Sequence, residues 1–137
     1  MTADRLIINA DGASRHNPGP AAIGATIKDE RGRLLTSISK RIGRATNNQA
    51  EYQALIAALE KAIELGARQV DIRLDSELVV KQMKGRYRVK NAALRPLYLK
   101  VGQLLSQLEG FTISSVPREQ NTEADRLANK ALTRGSS

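Results

Sequence analysis

Three strand-like segments stand one after another at the front of this chain, and every later strand-like segment is separated from the next by helix. Leu6–Asp11 is short and apolar and runs into the loop Gly12-Ala13-Ser14, so it reads as a buried strand. Ala21–Asp29 and Arg33–Arg41 read as strands joined by the hairpin signal Glu30-Arg31-Gly32. The hydrophobic period then changes. Asn47–Leu65 carries Tyr52, Leu55, Ile56, Leu59 and Ile63 at helical spacing and stops at Gly66. Val70–Leu74 alternates as a strand, and Ser76–Lys84 is a helix ending at Gly85. Leu94–Leu108 is a helix with Pro96 in its first turn and a stripe formed by Leu97, Val101, Leu104, Leu105 and Leu108. Phe111–Val116 is a short strand, and Thr122–Thr133 a last helix capped by Asn121. Strands in direct succession form an antiparallel meander, whereas strands separated by helices add in parallel through crossovers. The expected architecture is α/β: a mixed five-stranded sheet, antiparallel over its first three strands and parallel for the last two, flanked by helices.

With 137 residues and 41% hydrophobic content, the chain is sized for one folded domain. That domain is expected to fill residues 1–137, with a core over about 5–132 and a flexible tail at 133–137. Met1 lies just before the first strand and the tail is short and polar, which reads as a stand-alone protein. Aromatic residues make up only 3%, so the core must be built from Leu, Ile, Val and Ala. No apolar run is long enough for a membrane span, and the start lacks the charged and apolar regions of a secretory signal. The absence of cysteine removes disulfides and thiolate metal sites. A cytoplasmic monomer without an obligate protein partner is expected.

Lys and Arg outnumber Asp and Glu by 22 to 14, which suits a polyanionic partner. Between Glu77 and Glu109 there is no acid but there are seven bases: Lys81, Lys84, Arg86, Arg88, Lys90, Arg95 and Lys100. A second acid-free stretch, from Arg31 to Ala50, holds Arg31, Arg33, Lys40, Arg41 and Arg44. A solvated basic surface is the plainer explanation, and charge alone does not decide between them.

Four carboxylates occupy positions where sheet meets loop or helix. Asp11 and Asp75 each end a strand, so each is either a turn or cap residue or part of a site. If those strands are parallel neighbours they lie about 4.8 Å apart, and both carboxylates protrude at the same edge. Glu51 lies in the first turn of its helix, in line with Leu55, Ala58 and Ala62; it either leans to the sheet or favours the helix dipole from the surface. Asp125 precedes Ala128 and Leu132 on the inner side of the last helix, or is an ordinary early-turn acid. Converging four acids costs several kcal/mol per uncompensated ion, so a fold that gathers them needs divalent cations. Oxygen-only ligands, with no Cys and a single His, point to Mg²⁺ or Mn²⁺ rather than zinc. Two such ions roughly 4 Å apart activate water and stabilise the leaving oxygen in phosphodiester hydrolysis.

The motifs carrying these acids are Ile8-Asn9-Ala10-Asp11-Gly12-Ala13-Ser14 with Asn17-Pro18-Gly19-Pro20, Ala45-Thr46-Asn47-Asn48-Gln49-Ala50-Glu51-Tyr52, Leu74-Asp75-Ser76-Glu77-Leu78-Val79, and Val116-Pro117-Arg118-Glu119-Gln120-Asn121 leading to Ala124-Asp125-Arg126-Leu127-Ala128. In order and spacing the chain strongly resembles type 1 ribonuclease H from about Leu6 to Leu132. The resemblance implies that Asp11, Glu51, Asp75 and Asp125 bind two metal ions and carry catalysis. It implies cleavage of the RNA strand of RNA–DNA hybrids, leaving a 3′-hydroxyl and a 5′-phosphate. It also implies that Ser14, Asn17, Asn47 and Asn48 face the minor groove, and that Thr46 contacts a DNA-strand phosphate. Amide side chains suit the first role because they donate and accept, and so read base edges and 2′-hydroxyls. Helix capping is the other use for Asn47 or Asn48.

The chain departs from the family pattern in three places. Many members carry a histidine before the fourth acid; here Arg118 stands in, as in the archaeal-like branch, and Arg cannot shuttle protons near neutral pH. Its expected role is electrostatic, holding the scissile phosphate or the departing product. The long basic protrusion of some members is missing, and the short segment Gly85–Asn91, with Arg86, Arg88 and Lys90, is expected to replace it in part as a substrate contact. Glu77 stands where some relatives have an RNA-contacting glutamine, and an acid there is a poor phosphate contact. His16 reads as an exposed loop histidine. The branch lacking histidine and protrusion extends the expected substrates to double-stranded RNA. The alternatives are a non-catalytic nucleic-acid-binding module of the same fold and a severed fragment of a polymerase or transposase.

Overall fold

The computed structural model of the protein describes residues 4–134. Strand β1 (Arg5–Ser14) is followed by β2 (Gly19–Lys28), β3 (Leu34–Ala45), α1 (Asn47–Glu64), β4 (Gln69–Leu74), α2 (Glu77–Met83), α3 (Arg95–Leu105), β5 (Gly110–Ser115), a 3₁₀ turn (Arg118–Gln120) and α4 (Thr122–Arg134). The five strands form one sheet in the order β3-β2-β1-β4-β5. The first three pair antiparallel, and β4 and β5 add in parallel. This is the expected mixed sheet. Among the described residues no helix is long and apolar enough to cross a membrane.

Local chemistry accounts for the connections. In the β2–β3 turn the Asp29 carboxylate accepts from the backbone N–H groups of Arg31 and Arg33, both at 2.9 Å. Helix α1 ends in a Schellman motif: Ala67 N–H donates to Ala62 O and Gly66 N–H to Ile63 O. Gly66 adopts φ 90°, where a side chain would be strained.

One face of the sheet carries α1, with α3 packed against it. Leu6, Ile8 and Ala10 of β1, with Val70, Ile72 and Leu74 of β4, meet Tyr52, Leu55 and Leu59 of α1 there. The opposite face of β1, β2 and β3 carries α4. Two glycines set how closely the helices approach. A Cβ on Gly12 would lie 2.2 Å from the Ala50 carbonyl carbon and 2.4 Å from Glu51 N, so only glycine lets α1 press its second turn onto β1. A Cβ on Gly24 would lie 2.2 Å from Ala124 O and 2.5 Å from Ala128 N on the other face. Gly24 is the register partner of Asp11, so the sheet is thinnest beside that acid on both faces.

Several boundaries differ from the sequence reading, each for a pairing reason. Strand β1 does not end at Asp11: residues 11–14 continue the antiparallel ladder with β2, while the parallel ladder with β4 stops at Ala10–Leu74. Asp11 therefore lies where one neighbour leaves and the other stays. Strand β3 runs four residues further than expected because Arg44 and Ala45 still pair with Pro20 and Gly19. In the expected tail, Thr133 and Arg134 belong to α4, and residues 135–137 lie outside the described ones.

Gly24→Ala is expected to destabilise the protein by about 1–3 kcal/mol, because the contacts are rigid helix backbone rather than a side chain that can turn aside. Chemical denaturation measures this, and a wild-type midpoint would show that the approach of α4 is not constrained there.

Candidate active site

Asp11 and Glu51 are 5% and 8% exposed, and Asp75 sits beside them in the first residue beyond β4. One carboxylate oxygen from each lies within 4.8 Å of the others. Strand pairing supplies Asp11 and Asp75, which extend the parallel register by one step past Ala10–Leu74. Helix α1 supplies Glu51 over the gap left by the Gly12 side. The fourth acid, Asp125, is one residue from Ala124, which presses on Gly24, and it comes within hydrogen-bonding reach of Asp11.

The four acids line a cavity of about 870 Å³ with Ser14, Asn47, Glu77, Arg118 and Asn129. Burial raises the Asp11 carboxyl far above its ordinary value, and its contacts with Glu51, Asp75 and Asp125 push in the same direction. Burial also raises Glu51, with Asp75 adding repulsion; its bonds to Asp11 and Gly12 N–H and the charge of Arg118 oppose the rise. Glu51 Oε2 is fully buried and makes no hydrogen bond. An orphaned carboxylate oxygen costs roughly 1–3 kcal/mol, more when charged. A hard divalent cation would meet that oxygen and offset the repulsion, so the residues present fit such an ion.

The resemblance-based contacts divide into two places. Ser14, Asn17, Thr46, Asn47 and Asn48 gather at the start of α1. Ser14 N–H donates to Asn47 Oδ1 at 3.1 Å, and Asn47 N–H donates to Asn17 Oδ1 at 3.0 Å. Both carboxamides therefore hold the loops together and keep N–H donors for a ligand. Thr46, not Asn47 or Asn48, caps α1: its hydroxyl accepts from Gln49 N–H at 3.1 Å, while Gln49 Oε1 accepts from Thr46 N–H at 2.8 Å. With the cap at Thr46, Glu51 falls in the second turn of α1 rather than the first, away from the helix end. Asn48 is exposed. Arg86, Arg88 and Lys90 are not at the acids. They lie on the α2–α3 connection, where Arg88 and Lys90 border a separate groove.

Arg118 opens the 3₁₀ turn, 79% exposed, with Nη2 at 3.9 Å from Asp125 Oδ1. That placement gives its charge access to the cavity while leaving the head free to meet an anion. Asn121 does not spend its side chain on α4: it is 1% exposed, donates to Ala10 O at 3.0 Å and accepts from Asn9 Nδ2 at 3.1 Å. It thus ties the start of α4 to the residue before Asp11. Sequence reasoning missed this, and it missed Asn129, whose Nδ2 donates to Asp125 Oδ1 at 3.1 Å. The i,i+4 spacing of Asp125 and Asn129 was the available signal. His16 is exposed, as expected.

Residues 9–131 match the family model described as reverse transcriptase-like. The chain is 47% identical over 129 residues to a bifunctional protein of Mycobacterium tuberculosis, covering 93% of this chain and 35% of that protein. It thus spans about a third of the length of its mycobacterial relatives. It superposes on the crystal structure of RNase H1 from Halobacterium salinarum with a TM-score of 0.94 at 44% identity, covering 96% of this chain and 99% of the other. It also superposes on LC11-RNase H1 in complex with RNA/DNA hybrid, with a TM-score of 0.92 at 42% identity over 96% and 99% of the two chains.

A raised carboxyl makes the metal-free protein hold a proton that its unfolded chain has lost, so stability falls as pH rises above the ordinary value of 3.8 and through neutrality. In chelator, Asp11→Asn is expected to melt higher than the wild type by a margin that widens with pH over this window. Melting curves at several pH values check it; a margin that is constant or shrinks with pH contradicts the assigned repulsion.

Proposed function

The chain belongs to the type 1 ribonuclease H family, and on that basis we propose that it is an endonuclease hydrolysing the RNA strand of RNA–DNA hybrids. The observation that carries the reading is the carboxylate trio, buried Asp11 and Glu51 with half-buried Asp75, within 4.8 Å and with Glu51 Oε2 unpartnered. Such a cluster in a chain of net charge +8 serves metal-assisted chemistry on a polyanion better than it serves stability.

Two Mg²⁺ or Mn²⁺ ions, when bound, supply Lewis acidity for the attacking water and for the departing 3′-oxygen. Asp11, which contacts the other three acids, would hold these ions together with Glu51, Asp75 and Asp125. Asn129 orients Asp125 through its amide. Ser14, Asn17, Asn47 and Asn48 read the minor groove through their remaining donors, and the 2′-hydroxyl identifies the strand to be cut. Thr46 caps α1 through an acceptor lone pair, which leaves its O–H for a DNA-strand phosphate. Arg86, Arg88 and Lys90 hold the substrate at a distance from the cut. Arg118 steadies the scissile phosphate or the product by charge alone. Water attacks the phosphorus in line, a new O–P bond forms as the P–O3′ bond breaks with inversion at phosphorus, and the departing oxygen takes up a proton, leaving a 3′-hydroxyl and a 5′-phosphate. One domain over residues 1–137, acting as a monomer in the cytoplasm and taking double-stranded RNA as a further substrate, completes the proposal.

A labelled hybrid, an RNA duplex and a DNA duplex incubated with Mg²⁺, Mn²⁺ or chelator test this together. Hybrid cleavage only with metal is expected; tight binding without turnover in either metal favours the non-catalytic module instead. Asp11→Asn and Asp75→Asn are each expected to lower the rate more than roughly a hundredfold, since even outer-shell partners of metal sites cost 10- to 100-fold. Near-wild-type cutting by either variant refutes the ligand assignment.

The role of Arg118 has its own signature. Arg118→Ala is expected to slow cleavage about tenfold, the scale of one lost charge-assisted contact. Arg118→His is expected to introduce a titration near pH 6–7 that the wild-type pH–rate profile lacks. A wild-type profile already carrying that limb, lost in Arg118→Ala, contradicts a purely electrostatic role.

A further inference from the structure

The connection between α2 and α3 forms a groove of about 550 Å³, bordered by Tyr87, Arg88, Lys90, Arg95, Tyr98 and Leu99. It differs from the acid cavity in every chemical respect. No acid occurs between Glu77 and Glu109, so the whole segment is cationic. The chain has only four aromatic residues, three Tyr and one Phe, and two of them border this groove. Tyr52 is fully buried, whereas Tyr87 is 50% exposed. Lys81 Nζ stands over the Tyr87 ring, 5.1 Å from its centroid.

We propose that this groove binds unpaired nucleotides flanking the hybrid, with a base stacked on Tyr87 and its phosphates held by Arg88, Lys90 and Arg95. Duplex alone does not account for the pattern. A duplex keeps its base faces inside the stack and offers phosphates and groove edges, for which Arg and Lys suffice. A half-exposed ring beside those cations has use for a base face, which a single strand presents along its length and a duplex only at its ends. The position suits a strand continuing from the cut site: α2 starts two residues after Asp75 and spans seven residues, about 10 Å at 1.5 Å per residue. Lys81, on the same helix, backs the ring and adds positive charge behind the stacked base. The inference rests on the nuclease reading for the identity of the flanking duplex, not for the groove's preference for single strands.

Binding is measured by fluorescence anisotropy in chelator, with a blunt RNA–DNA hybrid and the same hybrid carrying a four-nucleotide DNA overhang. The wild type is expected to bind the overhang form about tenfold more tightly, the scale of stacking one base. Tyr87→Phe is expected to keep the preference and Tyr87→Ala to reduce it to about twofold, what the extra phosphates provide. No preference in the wild type, or an undiminished one in Tyr87→Ala, overturns the proposal. Wild-type cleavage of the blunt hybrid in Mg²⁺ is scored separately. Its absence, with the overhang preference intact, refutes the nuclease reading and leaves the groove standing.

Discussion

Repulsion among Asp11, Glu51 and Asp75 is the constraint around which the rest is arranged. Two unit charges about 4 Å apart cost on the order of 4 kcal/mol at the effective dielectric of a protein near its surface, and here three acids share one edge with a fourth close by. Left alone, the chain relieves this by keeping protons, which is why burial and neighbours drive Asp11 and Glu51 upward together. Holding such a cluster takes backbone that cannot yield. The β1–β4 ladder, the Gly12 contact with α1 and the Gly24 contact with α4 provide it from three directions.

The buried polar links serve the same end. Asn121 joins the start of α4 to Ala10, immediately before Asp11, and the Tyr52 hydroxyl donates to Gln82 Oε1 at 2.5 Å, joining the helix of Glu51 to the helix that follows Asp75. Each link starts one residue from an acid or on the element that carries one. A carboxylate positioned through its backbone in this way resists its neighbours without needing a salt bridge of its own. The exposed cation Arg118 is the exception, reaching the cluster only at 3.9 Å.

Charge is organised at a longer range as well. Five of the 14 acids, Asp11, Glu51, Asp75, Glu77 and Asp125, line one cavity, while acid-free basic stretches lie on the α2–α3 connection and along β3. A polyanion is drawn to the basic flanks, and the densest negative charge stands where cations would be held. Attraction and chemistry are thereby placed on separate elements, and the aromatic ring of Tyr87 belongs with the first of them.

Much of this was legible in the linear chain. Alternation in Val70–Leu74, the helical stripe from Tyr52 to Ile63 and the run of three strands indicated a mixed sheet with its first three strands antiparallel and its last two parallel, because period and connection length leave few ways to bury the same apolar faces, while the strand order came from the structure. The acids could be nominated, but each had an ordinary explanation as a cap or surface residue. Tertiary structure decided that β1 continues past Asp11, that Thr46 rather than an asparagine caps α1, and that Asn121 turns away from its own helix toward β1. It also revealed why Gly12 and Gly24 are glycines. Local periodicity encodes which face of an element is buried; how close two elements come, and which buried polar atom is left without a partner, depends on chain brought in from far away, so no window of sequence contains it.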